Sequence, residues 1–520
     1  MGRKMPKTMG FAVIVLLGMW PFLDFAMNNL FLGLSIFRLF VAAIGTIAVS
    51  LLLWLVFSLL FRRIRPDRWA AIIGSGICVM FLFSALATVM QDYGYFRYSQ
   101  AFVWVIATAT LLIFVWIFSR SKDFILILAI VAVVMNVTAL APLARLLQGP
   151  SRSLDSQLSE PKTTTNTPSA QTKMVVKGRL PNVYFFIFDE YDRADQLKKI
   201  FNFDNRPFLD ALVDRGFVIG ERSLANFPAT LLSVSSTLSM NYIVPPGKAF
   251  DWWGADNRGA KRVIDGYNPV VERFHELGYK YFHGGGENYV RCGNAEDRCI
   301  RAKPVTWIRE QERLLMLMTP LRLFRYRLRF ATEKFTPEVV KKAIKEYGGM
   351  PRFVYAHYMI PRSSVYDEEC SPVSVLDGMT KVTKLPRHDL ELMRKRKLRY
   401  LNDIKCLNPS LIGLVDTILS DDKDPIIILQ SDHGSTFLHD WKTPEWPDDE
   451  FLERYGILNA IRLPDRCRHQ LYPTMTSVNT FRIVFACIED RPPRLLDDIS
   501  LMIQYYSKDP VLVRKPGTLN

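Results

Sequence analysis

Five apolar runs occupy the first part of this 520-residue chain and constrain its fold more than any other feature. They cover 9–25, 39–61, 69–89, 101–118 and 124–146. Each approaches the roughly 20 residues needed to cross a bilayer core. A backbone in hydrocarbon must satisfy its own hydrogen bonds, so the runs are expected to be helices. The first could serve as a secretory signal, but no small-residue cleavage site follows it and four more runs do. Residues 1–148 are therefore read as a transmembrane domain, 149–178 as a flexible linker, and 179–520 as a separate domain outside the bilayer.

Basic residues set the orientation. Arg3, Lys4 and Lys7 precede the first run, Arg62, Arg63, Arg65 and Arg68 separate the second from the third, and Arg120 and Lys122 separate the fourth from the fifth. The other two loops carry only Arg38 and Arg97. Cytoplasmic loops hold the excess of Lys and Arg, so the N-terminus is expected inside. An odd number of spans then puts everything after residue 148 outside. The net charge of +15 divides into +8 before residue 149 and +7 after it. The first share is this topology signal. The second suits a domain resting on anionic lipid, and nucleic acid is an unsuitable partner for an exported domain. The sequence does not indicate an oligomeric state.

Cysteine placement fits that compartment. Cys78 lies in a span, and Cys292, Cys299, Cys370, Cys406, Cys467 and Cys487 all lie in the outer domain. An even set in an oxidising compartment reads as disulfides. Sequence proximity favours 292–299, 370–406 and 467–487. A zinc cluster is the competing reading, but no CxxC pair occurs.

The linker is rich in Ser, Thr and Pro ("SEPKTTTNTPSAQT") and has nothing to bury. After it, strand-like and helix-like stretches alternate. "NVYFFIFDE" is apolar on both faces, as a central parallel strand is. "RPFLDALVDRGFVI" carries Phe208, Leu209, Leu212 and Val213 on one stripe. "VVERFHELGYKYFHGGG" is a helix, a stop at Gly278 and a short strand. "RFVYAHYMIP" is a strand, and "YLNDIKCLNPSLIGLVDTIL" is a long helix with an internal proline that feeds "PIIILQSDHG". This alternation specifies an α/β domain with a mostly parallel sheet. Two basic stretches interrupt it. "LLMLMTPLRLFRYRLRF" places Leu321, Phe324 and Leu328 at helical spacing beside Arg322, Arg325 and Arg329. It reads either as a helix on a membrane surface or as one packed on the domain with a solvated basic edge. "MRKRKLRY" reads as a solvated helix face.

Three places carry chemistry. Asp189 and Glu190 end an apolar strand, where a carboxylate must cap, pair or bind metal. Thr230 opens a helical run containing Leu231, Leu232, Val234 and Leu238. A threonine there is commonly a cap, but exposed N–H groups and the helix dipole also favour an alkoxide and a bound anion. Asp432, His433 and Gly434 end a second apolar strand, either as a turn or as a ligand site at the carboxyl end of the sheet.

The ordered set of an Asp-ending strand, a Thr-opened helix about forty residues on, and a distant strand ending in "SDHG" resembles the alkaline phosphatase/sulfatase superfamily. It is most similar to the membrane-anchored branch, which includes phosphoethanolamine transferases and lipoteichoic acid synthases. The stretches that carry the resemblance are "FPATLLSVSSTLSMNYI", "YLNDIKCLN", "IILQSDHG", "YGILNAIRLP" and "LYPTMTSVNTFRIVF", within about 180 to 490, together with the five spans. The resemblance implies a five-helix transmembrane bundle followed by an α/β sulfatase-like domain. It implies a bacterial inner-membrane location with the C-terminal domain periplasmic or extracellular. Asp189 takes the first metal-ligand position, assisted by Glu190, Thr230 is the nucleophile, and Asp432 and His433 complete the site. Those donors suit one divalent ion, zinc or manganese. The implied reaction moves a phospho-head-group from a membrane phospholipid to an envelope glycan or lipid acceptor through a phospho-threonine. No Cys stands at the nucleophile position, which disfavours an aldehyde-type sulfatase.

The chain also departs from that pattern. In "HYMIPRSSVYD" Arg362 stands where relatives often carry a His that meets substrate or a second metal, and His357 lies five residues earlier. Arginine can hold a phosphate bidentately but cannot ligate a metal or act as an acid near neutral pH. Arg362, His357 and His439 are the expected substrate contacts. His439 could instead serve a second metal or be a solvated loop residue. "HGGGEN" at 283–288 reads as a turn whose glycines permit close approach to substrate. The competing functions are an inactive lipid-binding regulator of envelope synthesis and a phosphate or sulfate ester hydrolase.

Overall fold

The computed structural model describes residues 8–28, 35–92, 97–141, 180–247, 258–285, 297–301, 310–321, 337–346, 349–362, 366–371, 390–438, 446–503 and 512–514. They form two compact units. The 149–178 linker, Cys292, His439 and the basic positions Arg322, Arg325 and Arg329 with Phe324 and Leu328 lie outside the described residues.

The first unit holds helices α1 (Thr8–Asn28), α2 (Ile36–Leu60), α3 (Pro66–Asp92), α4 (Arg97–Phe118) and α5 (Lys122–Ala139). All five are long and apolar enough to cross a membrane. Small residues bring α1 and α3 together: a Cβ on Gly74 would lie 2.9 Å from Leu17 Cδ1. Asn136 ties α5 to α1, its Nδ2 donating to Leu16 O at 2.9 Å. The short helix Glu310–Leu317 also belongs to this unit. Its Leu315 is buried with Phe22, Phe25, Leu39 and Ala43, and Ser84 N donates to Met318 O at 3.1 Å. Those partners cluster at the end of α1, the start of α2 and the end of α3. That is the side the arginine asymmetry assigns to the outside. The described part packs on the helices of this unit rather than on the outer domain, and the basic positions that distinguish the two readings lie outside the described residues.

The second unit is built on a seven-stranded sheet of order β2-β7-β6-β1-β5-β3-β4. The strands are β1 (Val183–Phe188), β2 (Val218–Ile219), β3 (Lys280–Gly285), β4 (Arg298–Arg301), β5 (Arg352–Tyr358), β6 (Ile426–Ser431) and β7 (Asn459–Arg462). The five from β6 to β4 are parallel, and β7 and β2 add an antiparallel edge. Every residue of β1, β5 and β6 is buried. Helices cover both faces, so alternate side chains of β1 enter two cores: Tyr184, Phe186 and Phe188 on one, Val183, Phe185 and Ile187 on the other. The long helix Leu390–Asp421 contains Pro409 and feeds β6 as expected. In "RPFLDALV" Phe208 and Leu212 are buried, whereas Val213 is exposed. A small ribbon pairs β8 (Ser500–Met502) with β9 (Leu512–Arg514). Disulfides join Cys370 to Cys406 and Cys467 to Cys487. Cys299 is also disulfide-bonded, and Cys78 is free and buried.

Candidate active site

The central register builds the site. Phe188 of β1 pairs with Ser431 of β6 and with Tyr358 of β5. The next residues, Asp189 and Asp432, therefore leave the carboxyl ends of adjacent parallel strands together, where open α/β sheets bind ligands. Both are essentially fully buried. Burial, reinforced by the charge of Asp432, pushes the Asp189 carboxyl up to about 7, against the pull of Arg362. Burial likewise pushes Asp432 up to about 6, while the Thr230 hydroxyl, Arg454 and two backbone N–H groups draw it down. Asp189 Oδ1 and Asp432 Oδ2 have no hydrogen-bond partner among the described residues. Buried carboxylate oxygens are rarely left so; a proton or a cation satisfies them.

The chain turns sharply after Asp189. Glu190 adopts a left-handed φ of 66°, and its N–H donates to Asp432 Oδ1 at 3.3 Å. Tyr400 of the long helix holds this turn, its hydroxyl donating to Glu190 O at 2.7 Å. The "MRKRKLRY" face is thus solvated only in part.

His433 completes the cluster. Its Nδ1 lies 3.1 Å from Gly434 O, which assigns the proton to Nδ1 and leaves a lone pair on Nε2. That nitrogen faces Thr230 Oγ1 at 3.1 Å, Asp432 Oδ2 at 3.3 Å and Asp189 Oδ1 at 3.8 Å. Burial, then the charges of Arg454 and Arg362, keep the imidazole well below its usual basicity. Gly434 is required by space: a Cβ there would lie 1.9 Å from Glu453 O.

Thr230 is not a cap. Ala229 is the N-cap of the helix Thr230–Ser239, and Thr230 is its first helical residue. The hydroxyl is thereby free to point at His433. Ser233, one turn on, donates to Asp432 O at 2.6 Å and ties this helix to the β6 turn.

The remaining expected residues divide. Arg362 Nη1 lies 3.2 Å from Asp189 Oδ2 and its Nε 3.8 Å from Glu190 Oε1. Its side chain is 47% exposed, so it is the solvent-facing member of the site. His357, expected as a substrate contact, is fully buried within β5. It belongs to a set with Asp189 and Asp432 whose ligand atoms lie within 4.8 Å of one another. Burial lowers its pKa to about 4, so it is neutral. The expected "HGGG" turn is strand as far as it is described, since His283–Gly285 end β3, and Gly285 meets backbone: at φ 121° a Cβ would stand 2.0 Å from His357 O. Its lack of a side chain lets β3 close on β5.

Three further residues shape the site and were not read from the sequence. Arg454, at the end of the helix Asp448–Tyr455, is buried against Glu190, His433, Gly434 and Pro228. Glu453 accepts from the N–H groups of Phe437 and Leu438 and from the Ser435 hydroxyl, pinning the chain that follows "SDHG". Asp192 accepts from Ser435 N at 2.6 Å, and burial beside Glu453 raises its pKa well above the carboxylate range. The only signal for Arg454 was adjacency to "YGILNAIRLP".

The donors fit a divalent cation. Asp189, Glu190 and His433 form a second set within 4.8 Å, sharing Asp189 with the first. Two carboxylate oxygens with no hydrogen-bond partner among the described residues and an imidazole nitrogen converge beside a hydroxyl, a donor mixture that suits zinc or manganese.

No family model matches the chain, and no curated protein matches it. Several solved structures are similar. The C-terminal periplasmic domain of EcEptC from Escherichia coli, in complex with Zn, is 14% identical with a TM-score of 0.39, covering 66% of this chain and 94% of its own. The integral membrane protein lipooligosaccharide phosphoethanolamine transferase A (EptA) from Neisseria meningitidis is 12% identical with a TM-score of 0.37, covering 92% of this chain and 95% of its own. A putative sulfatase from Bacteroides thetaiotaomicron is 13% identical with a TM-score of 0.39, covering 65% and 82%. These are proteins of the kinds the sequence resemblance named. At such scores and identities they carry no argument about this chain, whose fold and site rest on the geometry above.

Proposed function

We propose that the chain is a metal-dependent phosphotransferase. In this reading it takes a phospho-head-group from a membrane phospholipid onto Thr230 and passes it to an envelope glycan or lipid acceptor outside the cytoplasmic membrane. The observation that carries the reading is the Thr230 hydroxyl 3.1 Å from His433 Nε2, beside two buried carboxylate oxygens that have no hydrogen-bond partner among the described residues. The five apolar helices support a donor drawn from the bilayer.

Asp189, Glu190, Asp432 and His433 would hold the cation, with Thr230 against it. When bound, a divalent ion lowers the pKa of a hydroxyl and offsets charge developing on a phosphoryl oxygen. The protein's own residues do the rest. His433, with its proton fixed on Nδ1, presents Nε2 as a donor. The helix N-terminus directs N–H groups at an anion linked to Thr230. Arg362, half exposed, turns its guanidinium to the phosphate oxygens of an incoming ester. In the first half-reaction Thr230 Oγ1 bonds to phosphorus and gives up its proton to solvent water, and the bond from phosphorus to the lipid alcohol oxygen breaks as that oxygen takes a proton back from water, leaving diacylglycerol. In the second, an acceptor hydroxyl attacks phosphorus and Thr230 leaves reprotonated.

One observation favours a second reading. Arg362 ion-pairs with Asp189, so a guanidinium already meets part of the charge a metal would meet. A metal-free chain that binds lipid and regulates envelope synthesis would use that pair. Incubating the purified chain with head-group-labelled phospholipid and envelope acceptors separates the cases. Transfer yields labelled acceptor and free diacylglycerol in equal amounts. Label released as a small soluble phosphate indicates a hydrolase, and unchanged lipid with no bound metal indicates the regulator.

A further inference from the structure

We propose that Arg454 is the positioning residue that aligns Thr230 with His433; this rests on the reading of Thr230 as the nucleophile. The three candidate site segments come from distant parts of the chain: the turn after β1, the turn before the helix Thr230–Ser239, and the turn after β6. One guanidinium touches all three. Arg454 Nε donates to Pro228 O at 2.7 Å, two residues before the nucleophile. Its Nη1 donates to Gly434 O at 2.7 Å and to Glu190 Oε1 at 3.1 Å. Its Nη2 lies 3.3 Å from His433 Nε2, the same nitrogen that Thr230 Oγ1 approaches at 3.1 Å.

The contact with Gly434 O bears directly on the imidazole, because that carbonyl also faces His433 Nδ1. Arg454 thus holds the carbonyl that fixes the tautomer, the turn that delivers the hydroxyl, and the carboxylate next to Asp189. A planar fork suits this task, since its donors leave in one plane at fixed spacing. A lysine would keep the charge and lose the spacing. The side chain is 5% exposed, which separates its role from that of Arg362, the solvent-facing arginine.

The test uses the full chain in detergent, with Zn2+ affinity by competition calorimetry and turnover of a generic aryl phosphodiester. For Arg454→Lys we expect Zn2+ affinity and kcat each to fall about tenfold or more, as when a residue orienting metal ligands is changed. KM should stay near the wild-type value. Arg362→Met should show a different split, raising KM while Zn2+ affinity holds or rises, since the guanidinium that pairs with Asp189 is removed. Because losing a buried arginine can unfold a chain, the same readouts are taken on Arg454→Ala with added millimolar guanidinium, which should restore part of both. A folded Arg454→Lys protein with wild-type Zn2+ affinity and kcat overturns the proposal. So does a chain that unfolds in both variants and is not recovered by guanidinium, since the residue is then structural only. If the wild type turns over no phosphodiester, the transferase reading fails on its own, and the Zn2+ comparison still decides the role of Arg454.

Discussion

Thr230 stands first in its helix and caps nothing, so its hydroxyl is removable at little structural cost. Thr230→Ala should lose about 1 kcal/mol, the net worth of one hydrogen bond. Activity should vanish while Zn2+ affinity falls only modestly. A melting point well below that of the wild type would mean that Thr230 is structural. The carboxylates make a second prediction. Burial, reinforced by the charge of Asp432, pushes Asp189 up to about 7, and burial pushes Asp432 up to about 6, so the pair loses its protons above the ordinary carboxylate value. For such groups the folded form is favoured below the unfolded pKa, and that stability is lost as pH rises through the folded values. The metal-free chain should therefore lose stability from these groups between about pH 4 and pH 7. A cation binds the deprotonated pair, so the melting shift on adding Zn2+ should grow with pH over this window. Calorimetry in buffers of different ionisation heat should detect proton release near pH 6 that fades above pH 8. A shift independent of pH would show that the ion binds elsewhere. Asp189, Thr230, Asp432 and His433 stood out because each sits at a strand end or helix start; local pattern left cap and turn open for them, and it was the resemblance that joined them into the one set whose members the structure brings together. Arg454 was not: "FLERYG" looks like any amphipathic helix end, and its contacts arise only where the chain returns. The company His357 keeps with Asp189 and Asp432 was not legible, because a residue inside a strand gives no sign of which neighbours its register brings.

Among the elements, the turn after β6 depends most on its supports. Glu453 and Arg454 are consecutive in the helix Asp448–Tyr455; Glu453 accepts from Phe437 N and Leu438 N, and Arg454 donates to Gly434 O. Gly434 packs against Glu453 O with no room for a methyl group. Gly434→Ala should cost roughly 3 kcal/mol through overpacking and should loosen His433. Thermal unfolding together with Zn2+ titration checks this, and an unchanged melting point would contradict the packing described. The central strands were legible because β1 and β6 are apolar on both faces, which only a covered parallel sheet tolerates. The antiparallel edge was not read, because β7 has four residues and β2 two. Strands that short present too little periodicity to separate from a loop.

For the whole molecule, the spans and the α/β architecture followed from hydrophobicity and alternation alone. The share of the outer chain that joins the helical bundle did not, because Glu310–Leu317 reads as an ordinary amphipathic stretch until its partners are known. Its packing makes a prediction about topology. Protease added to the outer face of spheroplasts should cut within 149–178, yet the cut chain should stay on the membrane through Leu315 and its neighbours. Leu315→Asp should then release it. A protected linker would reverse the orientation, and clean release of the unsubstituted chain would contradict the packing of that helix. Non-reducing peptide mapping should recover 370–406 and 467–487 as pairs and Cys78 as a thiol.

The claim on which the account turns is that Thr230 becomes covalently loaded. Its most direct test is the intact mass of the Zn2+-loaded chain, quenched after brief incubation with membrane phospholipids and without acceptor, followed by peptide mapping. The account predicts a mass increase equal to one phospho-head-group, located on the peptide containing Thr230 and absent from Thr230→Ala. A Zn2+-loaded chain that releases diacylglycerol while Thr230 stays unmodified would contradict it.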